Sequence, residues 1–361
     1  MAALCVVAYH LQYGIDAHLA FEDATTFFRR GYLFVDLFFI LSGFIISYVN
    51  RGDRTATVPA AEYRDFLGRR LIRLYPLLLF TLAFMLAFSI AFSLFCHLTH
   101  KPDAIDWSPT SLIVLLSQVL MLNAWTTLPP GWNIPTWSIS AELFAYLMFP
   151  LLVGLHALRP RLALALLAVV AIAFYAVVGT GLASLDILGF PAPFRCLAGF
   201  ALGMLIYYAR AWIAALPVPL LAAAQIVAVA ATILCLTIAC NDVLIVPAFA
   251  VLVATTWTDA GPLPWLIVRR PLLYLGDISY SVYLTHVPVI EALHPFWLQV
   301  AKRLPASPAV DRIGWLALCY AGVLLLSHFT YRRIEIPARR NLNRRLLGHP
   351  ARAIAQSSPA P

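Results

Sequence analysis

The feature that most constrains this chain is a succession of long apolar runs separated by short clusters of arginine. Of its 361 residues, 62% are hydrophobic and only 12% are charged. A soluble domain has about 25% charged residues and about 45–50% apolar ones. Because water cannot solvate so apolar a surface, we predict an all-α polytopic membrane protein, with about ten transmembrane helices around a polar cavity.

A helix needs about 20 apolar residues to cross the hydrocarbon core of a bilayer. The predicted spans are 1–13, 33–49, 74–96, 138–155, 162–179, 195–209, 218–240, 243–258, 277–298 and 314–331. The stretch 111–123 is short, and we interpret it as re-entrant or interfacial. The first span reaches about 20 Å, so it is either stunted or preceded by further residues. The predicted membrane domain covers 1–345, and a disordered tail covers 346–361.

The arginine clusters between the runs predict the orientation, since cytoplasmic loops carry an excess of basic residues. The loop 51–73 is the richest of them. With ten crossings all the clusters fall on one side, so both termini are predicted to be cytoplasmic. A net charge of +8 in such loops fits contact with the lipids of an anionic leaflet. This distribution argues against nucleic acid as a partner.

The motif search removes several classes of site. The six cysteines lie in or beside apolar runs and form neither a CxxC pair nor a Cys/His spacing typical of a metal centre. No Walker A loop, GxSxG elbow or HExxH helix occurs. We therefore predict no metal site.

Three ionisable side chains are expected near the outer end of the bundle. His10 ends the first apolar run, Asp36 opens the second, and Glu142 lies near the start of TWSISAELFAYLMFP. An ionisable group inside a membrane costs several kcal/mol unless it is paired or functional. A carboxylate beside an imidazole fixes its tautomer and stabilises the imidazolium, so we predict a catalytic set of all three. The alternative is that each side chain reaches the interface separately.

The segment RRLIRLYP places three arginines, Arg69, Arg70 and Arg73, at the start of the third span. Arg70 and Arg73 are three residues apart and therefore share one helix face. Two guanidiniums at a helix start suit a phosphate group, so the candidate phosphate-binding residues are Arg69, Arg70 and Arg73. The topological excess of arginine explains them equally well. Glu335 closes the last helix among further arginines, where we expect a salt-bridged exit.

Small and polar residues complete the candidate site. Ser42 and Gly43 let helices approach closely, and we favour this role over a nucleophilic Ser42. We expect the hydroxyls of Ser138 and Ser140 to bond across helices. Tyr283 and His286 share a face of their span, where His286 either lines the cavity or makes a structural hydrogen bond. The predicted substrate-binding residues are Ser42, Trp137, Ser140, Tyr283 and His286.

Taken in order, these segments resemble the acyltransferase-3 family of integral-membrane acyltransferases, which includes bacterial O-antigen, exopolysaccharide and Nod-factor O-acetylases. The resemblance covers nearly the whole chain. It rests on VVAYH, VDLFFILSGFII, RRLIRLYP, TWSISAELFAYLMFP, LGDISYSVYLTHVPV and RIEIPARR. Family members usually carry a basic residue eleven positions before their histidine, which here would precede Met1, and this again suggests that residues precede the recorded start.

The resemblance implies an enzyme of the bacterial inner membrane that transfers an acyl group, acetyl foremost, from cytoplasmic acyl-CoA to a hydroxyl of a saccharide or glycolipid. It implies that His10 is the essential histidine, acting as general base or as a transient acyl carrier. It also implies that Arg70 and Arg73 meet the CoA phosphates. A secondary transporter of a lipid-linked sugar or small solute is the alternative, although the two halves of the chain show no convincing internal similarity.

Overall fold

The computed structural model describes residues 1–13, 26–102, 105–129, 131–182, 184–238, 240–303 and 308–347, and every regular element in these ranges is helical. The α-helices are α1 Ala2–Tyr13, α2 Phe34–Val49, α3 Ala60–Leu98, α4 Pro109–Val119, α5 Thr136–Leu158, α6 Pro160–Val177, α7 Ala192–Ala214, α8 Val218–Thr237, α9 Ile245–Thr256, α10 Pro262–Ile267, α11 Arg270–Asp277, α12 Ser279–Arg303, α13 Pro308–Thr330 and α14 Ile336–Leu346. Short 3-10 turns occupy Gly31–Leu33, Asn123–Trp125 and Asp242–Leu244, and π-helical turns occupy Val178–Leu182 and Tyr331–Glu335. The predicted all-α class is confirmed.

Among the described residues, seven helical stretches are long and apolar enough to cross a membrane: Gly31–Val49, Ala60–Leu98, Thr136–Leu158, Pro160–Gly181, Ala192–Ala214, Val218–Thr237 and Val310–Leu346. The predicted spans 1–13 and 243–258 correspond to shorter apolar helices, and 277–298 falls on α12. Large apolar side chains such as Ile172 and Leu325 are about 70% exposed, which suits a surface facing lipid. The chain is a multi-pass membrane protein.

Two predicted segments were not expected to cross the membrane: the stretch 111–123 and the tail 346–361. The stretch 111–123 forms α4, whose 11 residues measure about 17 Å, too short to cross the core. Helix α14 ends at Leu346, and the predicted disordered tail lies outside the described residues from 348 onward.

Helices α2 and α7 make the closest backbone contact in the centre of the bundle. A Cβ atom on Gly43 would lie 2.1 Å from the carbonyl oxygen of Phe200, and one on Gly203 would lie 2.0 Å from that of Ile40. Two helices can approach this closely only where no side chain stands between them. The predicted packing role of Gly43 is confirmed, and the contact fixes the position of α2 against α7.

The bundle has two chemically different ends. At the first end α2 stops, α3 starts and α7 stops, and Asp53 accepts hydrogen bonds from Tyr207 Oη (2.7 Å) and Arg210 Nη2 (2.5 Å). The hydrogen bond from Tyr207 is the main reason why the pKa of Asp53 lies below its ordinary value. Because Arg51, Arg54 and Arg69 also lie here, we call this the arginine-rich end. At the opposite end, Tyr9 of α1 donates a hydrogen bond of 3.0 Å to Asp186.

Candidate active site

His10 of α1 and His286 of α12 lie side by side. Their ring centroids are 4.7 Å apart, and His286 Nε2 is 3.2 Å from His10 Nδ1. His10 Nδ1 lies 3.0 Å from the carbonyl oxygen of Val6, and His286 Nδ1 lies 3.3 Å from that of Val282. Because a carbonyl oxygen only accepts, each Nδ1 is assigned the hydrogen in the neutral rings. His286 Nε2 then accepts from His10, and His10 Nε2 is the nitrogen able to take up a proton.

Asp36 pairs with Arg195 of α7 and not with His10. Arg195 Nη2 lies 2.7 Å from Asp36 Oδ2, Arg195 Nε lies 3.2 Å from Oδ1, and both side chains are 0% exposed. The guanidinium also donates to the carbonyl oxygen of Tyr32 and lies 5.3 Å from the ring of Trp137. The predicted contact between Asp36 and His10 is wrong. A buried arginine supplies a compensating charge and two charge-assisted hydrogen bonds, which a neutral imidazole does not.

Arg195 is the principal residue that the sequence analysis missed. It was placed at the boundary of the predicted span 195–209, although it is a lone arginine in the apolar stretch PAPFRCLAGF. An arginine inside a membrane segment requires a partner, and this requirement was the available signal. Its counter-charge had to come from one of the few acidic residues in the other spans, and Asp36 is one of them.

A cavity of about 220 Å³ lies between α2, α3, α5 and α12, and we call it the central cavity. Ser42 Oγ donates a hydrogen bond of 2.5 Å to Glu142 Oε1, and both residues line the cavity together with Arg70 and Arg73. Its remaining lining residues are mainly apolar or aromatic: Val35, Phe38, Phe39, Leu41, Ile45, Ile46, Leu74, Ser138, Ile139, Tyr146, Ser279, Tyr280 and Tyr283. The cavity thus joins two guanidiniums, a carboxylate and a hydroxyl within an apolar wall.

Glu142 does not share the position of His10 and Asp36. It lies almost two turns into α5 and faces Ser42, which lies more than two turns into α2. The predicted convergence of three ionisable groups at one depth is therefore wrong. Each has a different partner: an imidazole for His10, a guanidinium for Asp36 and a hydroxyl for Glu142.

Aromatic rings hold Arg70 beside the central cavity. Its guanidinium carbon lies 5.3 Å from the ring centroid of Phe66 and 5.6 Å from that of Tyr146. Its Nε has no hydrogen-bond partner within the described part of the chain. Cation–π contacts orient a guanidinium without occupying its N–H donors, so Arg70 is able to bind an anion.

The three predicted phosphate-binding arginines separate into two groups. Arg70 and Arg73 line the central cavity, in agreement with the shared helix face predicted from their spacing. Arg69 instead lines a cavity of about 260 Å³ at the arginine-rich end, together with Arg51 and Arg54.

Tyr283 stands between the central cavity and the histidine pair. Its side chain lines the cavity, and its ring centroid lies 6.0 Å from that of His286. Its hydroxyl lies 2.7 Å from Ser138 Oγ and donates to the carbonyl oxygen of Pro135 at 3.3 Å. Neither His10 nor His286 lines the cavity. Tyr283 is thus the side chain that both regions share.

The remaining predicted substrate-binding residues lie away from the central cavity. Ser140 Oγ donates to the carbonyl oxygen of Met121 (2.6 Å) and accepts from the amide of Ala124 (3.2 Å). It bonds across segments as predicted, and these bonds hold the turn that precedes α5. Trp137 packs against Arg195 and lines a different cavity at the opposite end of the bundle.

Glu335 is buried at the end of the last membrane helix and is 4% exposed. It accepts a hydrogen bond from Ser281, whose hydroxyl in turn accepts one of 3.1 Å from Thr330. No arginine lies within ion-pair distance of Glu335 among the described residues, so the predicted salt-bridged exit is wrong. The π-helical turn Tyr331–Glu335 was not foreseen.

Comparison with known proteins confirms the family resemblance predicted from the sequence. A family model described as an acyltransferase domain matches residues 1–332. "Putative peptidoglycan O-acetyltransferase YrhL" of Bacillus subtilis (strain 168) is 25% identical over 387 residues, covering 96% of this chain and 55% of that protein. "Acyltransferase MdmB" of Streptomyces mycarofaciens is 30% identical over 160 residues, covering 42% of this chain and 36% of that protein.

The alignments cover about half or less of these relatives. No solved structure matches the chain significantly. The match to the family model spans both histidines, the buried ion pair and the central cavity, and it extends over more than nine-tenths of the sequence. The chain belongs to the acyltransferase domain family.

Proposed function

We propose that this chain transfers an acyl group, acetyl foremost, from acyl-CoA to a hydroxyl of a cell-surface saccharide or glycolipid. The observation that carries the proposal is the central cavity. Arg70 and Arg73 line it together, and so does Tyr283, which also contacts His286. Membership of an acyltransferase family supports an enzyme over a transporter. The name of the Bacillus subtilis relative, which specifies peptidoglycan, supports a saccharide acceptor.

In this proposal acyl-CoA approaches from the arginine-rich end, which we assign to the cytoplasm of a bacterial inner membrane by the excess of basic residues there. Both termini are then cytoplasmic. Arg70 and Arg73 bind phosphate oxygens, for which a planar guanidinium is well suited. The apolar wall of the central cavity receives the pantetheine arm, so that the thioester points towards Tyr283.

His10 is the proposed general base. As the acceptor oxygen attacks the thioester carbon, His10 Nε2 takes the hydroxyl proton; the carbon–sulfur bond breaks, an ester forms, and the departing thiolate takes the proton from His10. The Nδ1–H of His10 donates towards Val6 and His286 in both protonation states. His286 is therefore a positioning residue, in the role first expected of Asp36. A route in which His10 briefly carries the acyl group would use the same nitrogen.

The direct test of the base uses the full chain purified in detergent, with radiolabelled acetyl-CoA and soluble peptidoglycan fragments. We expect His10→Ala to lower transfer by at least a hundredfold. His97→Ala, at an exposed histidine near the end of α3, is the matched control and should retain full activity. Unchanged transfer by a folded His10→Ala protein would refute the assignment.

The donor site is tested separately by saturation with acetyl-CoA. Each lost charge-assisted hydrogen bond costs about 1.5–3 kcal/mol, so Arg70→Ala and Arg73→Ala should each raise the KM for acetyl-CoA about tenfold or more. Arg64→Ala removes an exposed arginine of the same helix that lines neither neighbouring cavity, and it should leave the KM unchanged. If all three variants had the wild-type KM for acetyl-CoA, Arg70 and Arg73 would serve only to orient the chain in the membrane.

A further inference from the structure

A cavity of about 420 Å³ lies at the end of the bundle opposite the arginines, and we call it the loop cavity. One wall is the segment after the 3-10 turn Asn123–Trp125, and the other is the loop 184–191 that leads into α7. Its lining includes Asn123, Thr126, Thr127, Trp137, Leu188 and Gly189. None of its described lining residues is charged, so it is unsuited to the phosphates of a nucleotide.

The loop 184–191 connects this cavity to the histidine pair. Leu185 and Ile187 are buried, while Asp186 and Leu188 between and after them are exposed. Asp186 accepts the hydrogen bond from Tyr9, whose ring centroid lies 5.0 Å from that of His10. Leu188 is only two residues further along and already lines the cavity.

These contacts limit the distance between the loop cavity and His10. Consecutive Cα atoms are 3.8 Å apart, so the path from the His10 ring through Tyr9 and Asp186 to the Cα atom of Leu188 measures at most roughly 22 Å. A short oligosaccharide is long enough to follow such a path. The distance therefore allows a single ligand to reach from the loop cavity to His10.

The chemistry of the loop cavity fits a sugar chain. Phe190, which lines the cavity and is 53% exposed, offers an aromatic surface of the kind that packs against the apolar face of a sugar ring. The Thr126 and Thr127 hydroxyls in its lining offer hydrogen-bonding groups. Apolar walls with a few convergent polar groups are typical of sites for small organic ligands.

We propose that the loop cavity is an acceptor subsite, which binds the sugar residues that flank the one being acylated. This inference rests on the proposed function and adds to it the requirement for an oligosaccharide acceptor. Binding energy gained in the loop cavity is then available to hold the acceptor hydroxyl at His10. The enzyme should prefer a long glycan fragment over a short one.

The test compares a disaccharide with an octasaccharide released from peptidoglycan, using the full chain in detergent with acetyl-CoA. The wild-type kcat/KM should be at least tenfold higher for the octasaccharide. Thr127→Trp and Leu188→Trp fill the cavity from its two walls, and each should reduce this ratio to about one. Leu122→Trp, at an exposed position just before Asn123 and outside the cavity lining, is the control and should keep the wild-type ratio.

Hydrolysis of acetyl-CoA without acceptor, together with thermal melting, shows whether each variant is folded and has an intact donor site. A wild-type ratio near one, or an unchanged ratio in both tryptophan variants, would overturn the subsite while leaving the proposed function in place. Wild-type protein that hydrolyses acetyl-CoA but acylates neither fragment would overturn the saccharide acceptor and the subsite together. Protein that neither hydrolyses acetyl-CoA nor transfers its acetyl group would overturn the proposed function itself.

Discussion

Replacing Asp36 by asparagine should destabilise the protein severely rather than remove a catalytic group. Arg195 is 0% exposed, and two of its three hydrogen bonds to described residues go to the Asp36 carboxylate. The substitution keeps the size of the side chain but leaves the guanidinium charge buried without a counter-charge. Breaking a buried ion pair in this way costs about 3–5 kcal/mol, a large part of a stability that is typically about 5–15 kcal/mol.

Chemical and thermal unfolding in detergent measure this effect, and the chain supplies its own control. Asp53 also pairs with an arginine, Arg210, but their side chains are 42% and 24% exposed. Asp53→Asn should therefore cost no more than about 1 kcal/mol. Arg195→Met in the Asp36→Asn background removes the uncompensated charge and should restore at least half of the lost stability.

The outcome that would refute this reasoning is specific. If Asp36→Asn unfolded like the wild type and yet transferred acyl groups a thousandfold more slowly, Asp36 would act on the reaction, as first predicted. If Arg195→Met gave no recovery in the double variant, the buried charge would not be the source of the lost stability.

Two further changes test the packing and the arginine-rich end. Gly43→Ala should lower the melting temperature by several degrees because its Cβ would meet the backbone of Phe200, whereas Gly154→Ala, with nothing within 4 Å, should be neutral or slightly stabilising; thermal melts compare them. The lowered pKa of Asp53 means that its contribution to stability is full above the unfolded-state value of about 4 and is lost as pH falls through the lower folded-state value. Unfolding measured from pH 7 to pH 3 should therefore show the difference between Asp53→Asn and wild type shrinking towards the acidic end.

The sequence predicts the helices of this fold better than it predicts which helices and side chains come into contact. Apolar runs specify helices because backbone groups in a bilayer must be satisfied within the segment, and a three-residue spacing specifies a shared face, as for Arg70 and Arg73. Neither rule determines which helices meet. Asp36 lies 159 residues from Arg195, and His10 lies 276 residues from His286. Placing side chains by depth alone therefore put Asp36 beside His10, whereas the close approach of α2 and α7 puts it beside Arg195.

The first turn of α5 is the point at which the proposed donor and acceptor sites adjoin. Trp137 lines the loop cavity, and its neighbour Ser138 lines the central cavity, where its hydroxyl contacts Tyr283. Tyr283 is buried and its hydroxyl also donates to the carbonyl oxygen of Pro135, so turning this side chain breaks two hydrogen bonds, each worth about 1 kcal/mol net. Because neither histidine lines the central cavity, the proposed reaction requires Tyr283 to turn aside before the thioester can reach the histidine pair. The two proposed sites therefore meet at consecutive residues of one helical turn, so a change in the first turn of α5 should affect donor and acceptor binding together.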